Sequence, residues 1–228
     1  MIVDILITLK NKRRLYVSAR IGSSSQFNDA NTGNLIGGPI KLRNTIIAEL
    51  LAGYRFFNNW IIETGISTNQ LNLGYSIREF SGGIHGSSSS SGGIDFFGIP
   101  MRIKHEFDLN NRISANPYFG LTHMVSLKKG QIGSIGLHGH NENEEPMVYT
   151  ETTRFIDRSY GLLIGGGASF EYNITPLISF LVNGEYDYGL HNLKRYHIEH
   201  YIDDSVISGD IYNRGTGFKF SAGIKFKI

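Results

Sequence analysis

The chain contains no cysteine, which removes disulfides, thiolate chemistry and cysteine-based zinc sites together. It has no run of about 18 apolar residues, so it encodes no transmembrane helix. Its formal net charge is only +2, too small to imply a general attraction to nucleic acid or another polyanion. The amino terminus lacks the grammar of an export signal. Met1-Ile-Val-Asp-Ile-Leu-Ile-Thr-Leu9 carries Asp4 and is followed, not preceded, by Lys10, Lys12, Arg13 and Arg14. Residues 1–14 are therefore expected to be a segment apart from the fold, with the export signal itself missing upstream.

What the chain does have is 28 glycines and 12% aromatics, a composition suited to many strands, bends and interfacial rings. Its most regular stretch is the last, Gly217-Phe-Lys-Phe-Ser-Ala-Gly-Ile-Lys-Phe-Lys-Ile228. Phe218, Phe220, Ala222, Ile224, Phe226 and Ile228 share one face, and Lys219, Ser221, Gly223, Lys225 and Lys227 the other. A strand that crosses a bilayer at a tilt needs about 9–11 residues alternating in this way.

The same period recurs along the chain. Strands are expected at Leu15–Ser23, Asn44–Phe56, Trp60–Tyr75, Ile94–Phe107, Ile113–Leu127, Tyr160–Tyr172, Ile178–Leu190 and the terminal stretch. Phe57-Asn58-Asn59, Asp108–Arg112 and Asn173–Leu177 read as tight turns, since asparagine tolerates the left-handed backbone that short hairpins use. Four longer connections read as polar loops: Gln26–Gly38, the Ser/Gly run Ser81–Gly93, Lys128 to about Asp157, and Asn192 to about Asn213. Eight strands joined by alternately long and short connections are the rhythm of a membrane barrel with short periplasmic turns and long external loops. The expected fold is all-β: an eight-stranded antiparallel up-and-down transmembrane β-barrel over residues 15–228, in the bacterial outer membrane.

A soluble, lipocalin-like ligand carrier would use the same period with its greasy face inward. The charges argue for the membrane form, because the polar face mixes both signs and a mixed-sign lumen can pair them. The expected lumen network is Glu49, Arg55, Glu63, Arg102, Lys104, Glu106, Glu171, Glu185, Asp187, Lys219 and Lys225. Arg55 is expected to meet Glu63 across the first hairpin. Glu171, Glu185 and Asp187 are expected to meet Lys219 and Lys225. Tyr54, Phe56, Trp60, Phe218 and Phe226 are expected in aromatic girdles, with Phe56 facing Trp60 at one rim. Ile99-Pro-Met-Arg-Ile-Lys-His-Glu-Phe107, Pro117-Tyr-Phe-Gly-Leu121, Gly184–Leu193 and Gly217–Ile228 resemble the PorT-like outer-membrane barrel family, and the architecture resembles the small OmpA/OmpX-type barrels. That resemblance implies location and fold, with outer-membrane lipids and the barrel-insertion machinery as partners and an extracellular or envelope ligand reached through the loops. It implies no chemistry.

Candidate chemical groups are few. His197-Ile-Glu-His200 could hold a metal only on a helix, whereas the segment reads as loop or strand. His138 and His140, near the acidic Glu142–Glu145, read as solvated loop residues. His123, on the outward face near the outer end, is the one candidate base for a lipid- or peptide-modifying barrel enzyme, and no serine stands at a suitable spacing. Glu49 with Glu63, or Glu185 with Asp187, could be acid–base pairs but read better as partners of nearby cations. Gly165-Gly-Gly167 lies inside a strand and is no phosphate loop. The expectation is a non-catalytic surface binding, adhesion or envelope protein with no catalytic residue, metal, cofactor or nucleic-acid partner.

Overall fold

A computed structural model describes residues 14–31, 43–57, 59–71, 73–77, 86–90, 95–140, 146–202 and 205–228; residues 1–13 lie outside it, as do residues 32–42. In chain order the strands are β1 (Leu15–Asn31), β2 (Arg43–Phe57), β3 (Trp60–Asn69), β4 (Leu73–Ile77), β5 (Gly86–Ser90), β6 (Phe96–His105) and β7 (Phe107–Asp108). They continue as β8 (Ile113–Val125), β9 (Gly130–His140), β10 (Pro146–Ile156), β11 (Tyr160–Asn173), β12 (Ile178–Gly189), β13 (Lys194–Ile202) and β14 (Ser205–Lys227).

Eight of these close on themselves in the order β1-β2-β3-β6-β8-β11-β12-β14, every pair antiparallel. The seam joins the first strand to the last: Val17 pairs with Phe226 and Ile21 with Ala222, while β1 pairs on its other side with β2. Closure leaves no open barrel edge, so the backbone groups of these strands are satisfied within the ring. Alternation then sorts the side chains. Ile21, Ile46, Ile66, Phe119, Phe170, Val182 and Phe220 face out, while Arg20, Glu49, Glu63, Arg102, Asn116 and Lys225 are buried inside. A lipocalin-like carrier needs the reverse arrangement.

The short connections gather at one rim, together with the start of β1 and Ile228, whose N–H donates to the Leu15 carbonyl at 2.9 Å. Asn59 takes the left-handed conformation there (φ 68°), as asparagine can in a tight hairpin. A register shift between Arg55 and Phe57 alters the expected aromatic pairing. Phe57, not Phe56, lies opposite Trp60. Trp60 instead meets the His105 ring edge-on at 4.8 Å, and His105 packs on Phe107 at 4.4 Å.

The other rim departs most from the sequence reading. β1 and β14 run on as far as Asn31 and back to Ser205, and β13, β10 and β9 add to the projecting part of β14 in the order β14-β13-β10-β9. The stretches read as loops at 128–157 and 192–213 are thus largely a sheet. On β13 the period is blurred because Lys194 shares a face with buried Tyr196 and Ile198, while Tyr201 shares the other with Arg195, His197 and Glu199. β3 ends at Asn69, short of the expected Tyr75: buried Leu71 turns into an apolar cluster, and the chain leaves the barrel for the separate β4–β5 hairpin. That hairpin uses part of the Ser/Gly run, since Leu73–Ile77 pairs with Gly86–Ser90. Backbone pairing needs no apolar side chain, so composition alone misread it.

Candidate functional site

The barrel interior is a layered packing of charge. Among the described residues six carboxylates (Glu49, Glu63, Glu106, Glu171, Glu185, Asp187) meet six cations (Arg20, Arg55, Arg102, Lys104, Lys219, Lys225). Glu63, 1% exposed, sits at the centre. It accepts from Lys104 at 2.7 Å, Arg20 at 2.8 Å and Arg102 at 3.4 Å, and from the Tyr16 hydroxyl at 2.7 Å. Arg102 also reaches Glu49 at 2.8 Å and Glu185 at 2.6 Å. Asp187 pairs with Lys219 at 2.5 Å and Glu171 with Lys225 at 2.7 Å.

Strand register explains part of this wiring. Glu49 lies directly opposite Arg20, and Glu63 opposite Arg102. The rest comes from reach across the lumen. Glu185 is opposite Lys219 on β14 yet turns to Arg102 on the far side, where the Tyr118 hydroxyl also donates to it at 3.1 Å. The expected Arg55–Glu63 contact is not made: Arg55 pairs with Glu106 near the short-turn rim. Lys219 and Lys225 take only Asp187 and Glu171 of the three acids expected for them.

Glycines make room for this packing. A Cβ at Gly53 would stand 2.1 Å from the Tyr16 ring, which lies under the Lys225 ammonium at 3.9 Å. A Cβ at Gly165 would stand 2.0 Å from the Asp187 carboxylate, which is the use of the glycine run on β11.

Toward the projecting sheet the lumen changes character. Leu71, Phe96, Met124, Ile156, Leu163 and Leu193 form a buried cluster with Ile132 against it. Beside it Lys194 donates at 2.7 Å both to Asp95 and to the Leu71 carbonyl. Burial pushes the Lys194 ammonium below the usual lysine range, against the pull of Asp95. Sequence reading named neither Lys194 nor Asp95, and it left Arg20 out of the network. Arg20 follows once its register with Glu49 is known. A partner 99 positions away leaves no local signal.

The outward surface completes the picture. From Phe218 on β14 to Ile228, the residue just past its end, the outward positions cover about 34 Å of extended chain and roughly 24 Å along the normal at a 45° tilt. That matches the apolar band of a bilayer-spanning barrel. The protein is built as a membrane-spanning β-barrel. Tyr54, Phe56, Trp60 and Phe226 stand exposed near the short-turn rim. Phe218 stands toward the other, packed on Tyr186 at 4.9 Å and Phe27 at 5.9 Å. No helix of the described residues is long and apolar enough to cross a membrane.

The remaining candidates do not assemble a reactive site. His197 lies in extended β13, where Nδ1 faces Asp210 at 2.9 Å and Nε2 faces Glu199 at 3.3 Å. The His200 side chain lies outside the described residues, as do the side chains of His138 and His140 on β9 and residues 142–145. Among the described residues no three His, Asp or Glu side chains are grouped to hold a metal. His123 is exposed on the outward face, across from Ile99 and Leu162.

No protein family matches the sequence, and no curated protein does. Solved barrels are similar in shape. The outer membrane protein OprG from Pseudomonas aeruginosa is 10% identical, over 96% of this chain and 97% of that chain, with a TM-score of 0.49. A major outer membrane protein from Thermus thermophilus is 10% identical over 94% and 98%, with a TM-score of 0.47. Neisserial surface protein A is 13% identical over 94% and 97%, with a TM-score of 0.44. The barrel is defined by its own strand pairing, and nothing that those proteins bind passes to this chain.

Proposed function

We propose that this barrel is a non-catalytic outer-membrane protein, entering through the barrel-insertion machinery and acting through the sheet that projects from it, in surface binding, adhesion or envelope maintenance. The observation that carries this reading is the contrast between the two parts. The lumen commits its charges to one another, whereas the projecting sheet presents a continuous polar and aromatic face. Arg195, His197, Glu199 and Tyr201 on β13 share that face with Asp210 and Tyr212 on β14. Its members are tied together: Tyr201 donates to Glu199 at 2.8 Å, and Arg195 lies 3.5 Å from Asp210 and over the Phe155 ring at 4.7 Å. A structured face loses less conformational entropy on binding than a free loop does. The charge-packed interior belongs to the same proposal as a structural filling and not a reaction site. The stretches Ile99–Phe107, Pro117–Leu121, Gly184–Leu193 and Gly217–Ile228 further support a PorT-like assignment.

Lipid A from cells with and without the protein, compared by mass spectrometry, tests the non-catalytic part. Identical profiles are expected. A modified species that appears with the wild type and is lost with His123→Ala overturns it in favour of a lipid-modifying enzyme.

A further inference from the structure

The turn from β10 to β11 meets the turn from β12 to β13 beside β14 at the outer rim, where the Asp157 N–H donates to the Leu193 carbonyl at 3.0 Å. Between them is an open cavity of about 370 Å³ lined by Asp157, Arg158, Leu190, His191, Asn192 and Arg214. We infer that this cavity binds a phosphate group, and that its occupant is the headgroup of an outer-leaflet lipid. The assignment of the lipid rests on the bilayer placement argued above.

The electrostatics of the lining select an anion. Arg158 is exposed and has no hydrogen-bond or ion-pair partner among the described residues. Arg214 uses only its Nε, at 2.9 Å from Asn192 Oδ1 and 2.9 Å from Asp29, so its two terminal nitrogens have no partner among the described residues. The one acid in the lining, Asp157, is directed to Arg195 at 3.2 Å. His191 adds a buried Nδ1 without a partner. Two guanidinium groups with uncommitted donors and a ring nitrogen that can donate are what a tetrahedral oxyanion requires, because each planar fork can give two parallel hydrogen bonds.

The position selects the source. Leu190 belongs both to the lining and to the outward apolar surface, and Tyr160 and Tyr188 stand exposed on the strands that lead to it. Tyrosines facing out at the end of a spanning strand mark the level of the headgroups, where their rings sit half in and half out of the apolar layer. A phosphate held here would keep its acyl chains on the greasy wall below, so one lipid satisfies both halves of the site.

The test uses the full chain in nanodiscs of phosphatidylcholine doped with diphosphoryl lipid A or with the same lipid dephosphorylated, counting retained lipid by native mass spectrometry. Preferential retention of the phosphorylated form is expected. Arg158→Gln should lower that preference about tenfold, the loss of roughly one charge-assisted contact. Arg112→Gln, on the short-turn rim, should leave it unchanged. Equal retention of the two lipids by a barrel that has entered the discs overturns the site while leaving the bilayer reading intact. Failure to enter the discs overturns both. Saturable binding of inorganic phosphate in discs without lipid A, abolished by Arg158→Gln and accompanied by no lipid preference, overturns the assignment to a lipid.

Discussion

Glu63 concentrates the energetics of the interior in one side chain. It is surrounded by Arg20, Arg102 and Lys104, all nearly inaccessible to solvent. Desolvating so many charges is costly, and mutual pairing offsets that cost only while each charge keeps its partner. Removing one carboxylate therefore leaves three crowded cations repelling one another in a poorly hydrated space. Glu63→Ala is expected to destabilise the barrel by about 3–5 kcal/mol. Lys129→Ala, at an exposed position, should stay within roughly 0.5 kcal/mol. Urea unfolding of vesicle-inserted protein measures both, and similar midpoints for the two variants would contradict the central role of Glu63.

At the scale of elements, the projecting sheet and the barrel differ in how they are held. Among the described residues β9 pairs only with β10, and β10 with β13, whereas ring closure uses none of the three. The joint between the parts is the apolar cluster around Leu71 and Phe96, with the Lys194–Asp95 pair beside it. Replacing residues 131–155 by a short Gly/Ser turn keeps Ile156 in that cluster. The shortened chain is expected to refold in detergent with β circular dichroism and to migrate faster unboiled than boiled on a gel, at a lower melting temperature than the full chain. Loss of the fast-migrating form would mean that the sheet is needed for closure.

Taken whole, the molecule is a filled rod. Eight strands leave an interior just wide enough for side chains, whereas open pores need about 16–18 strands. Here the bore carries Arg102, Tyr118, Lys225 and their partners through the membrane-spanning part, with an apolar cluster above them. An ion crossing it would have to break buried pairs and then pass a dry layer. Planar-bilayer recordings of the wild-type protein should therefore show no steady porin-like conductance. Large and stable openings would refute the filled bore.

Alternation in the sequence, together with the mixed-sign charge of the polar face, was enough to determine the eight spanning strands, which face each residue takes and where the short turns fall. A strand's side chains point in and out by parity alone, and lipid on one side with close packing on the other leaves little freedom. Lys219 and Lys225 were legible as interior residues for that reason, and so was Asn59 as a turn residue. Which charge meets which was decided only by the closed barrel. Glu185 reaches Arg102 and not the opposed Lys219, and Arg55 reaches Glu106 and not Glu63. These choices depend on strands far apart in sequence and on side-chain length across a curved interior. Tertiary structure likewise converted two polar loops into strands: the projecting edge of β14 offers unpaired backbone groups, and β13, β10 and β9 satisfy them through hydrogen bonds that amino-acid composition does not record.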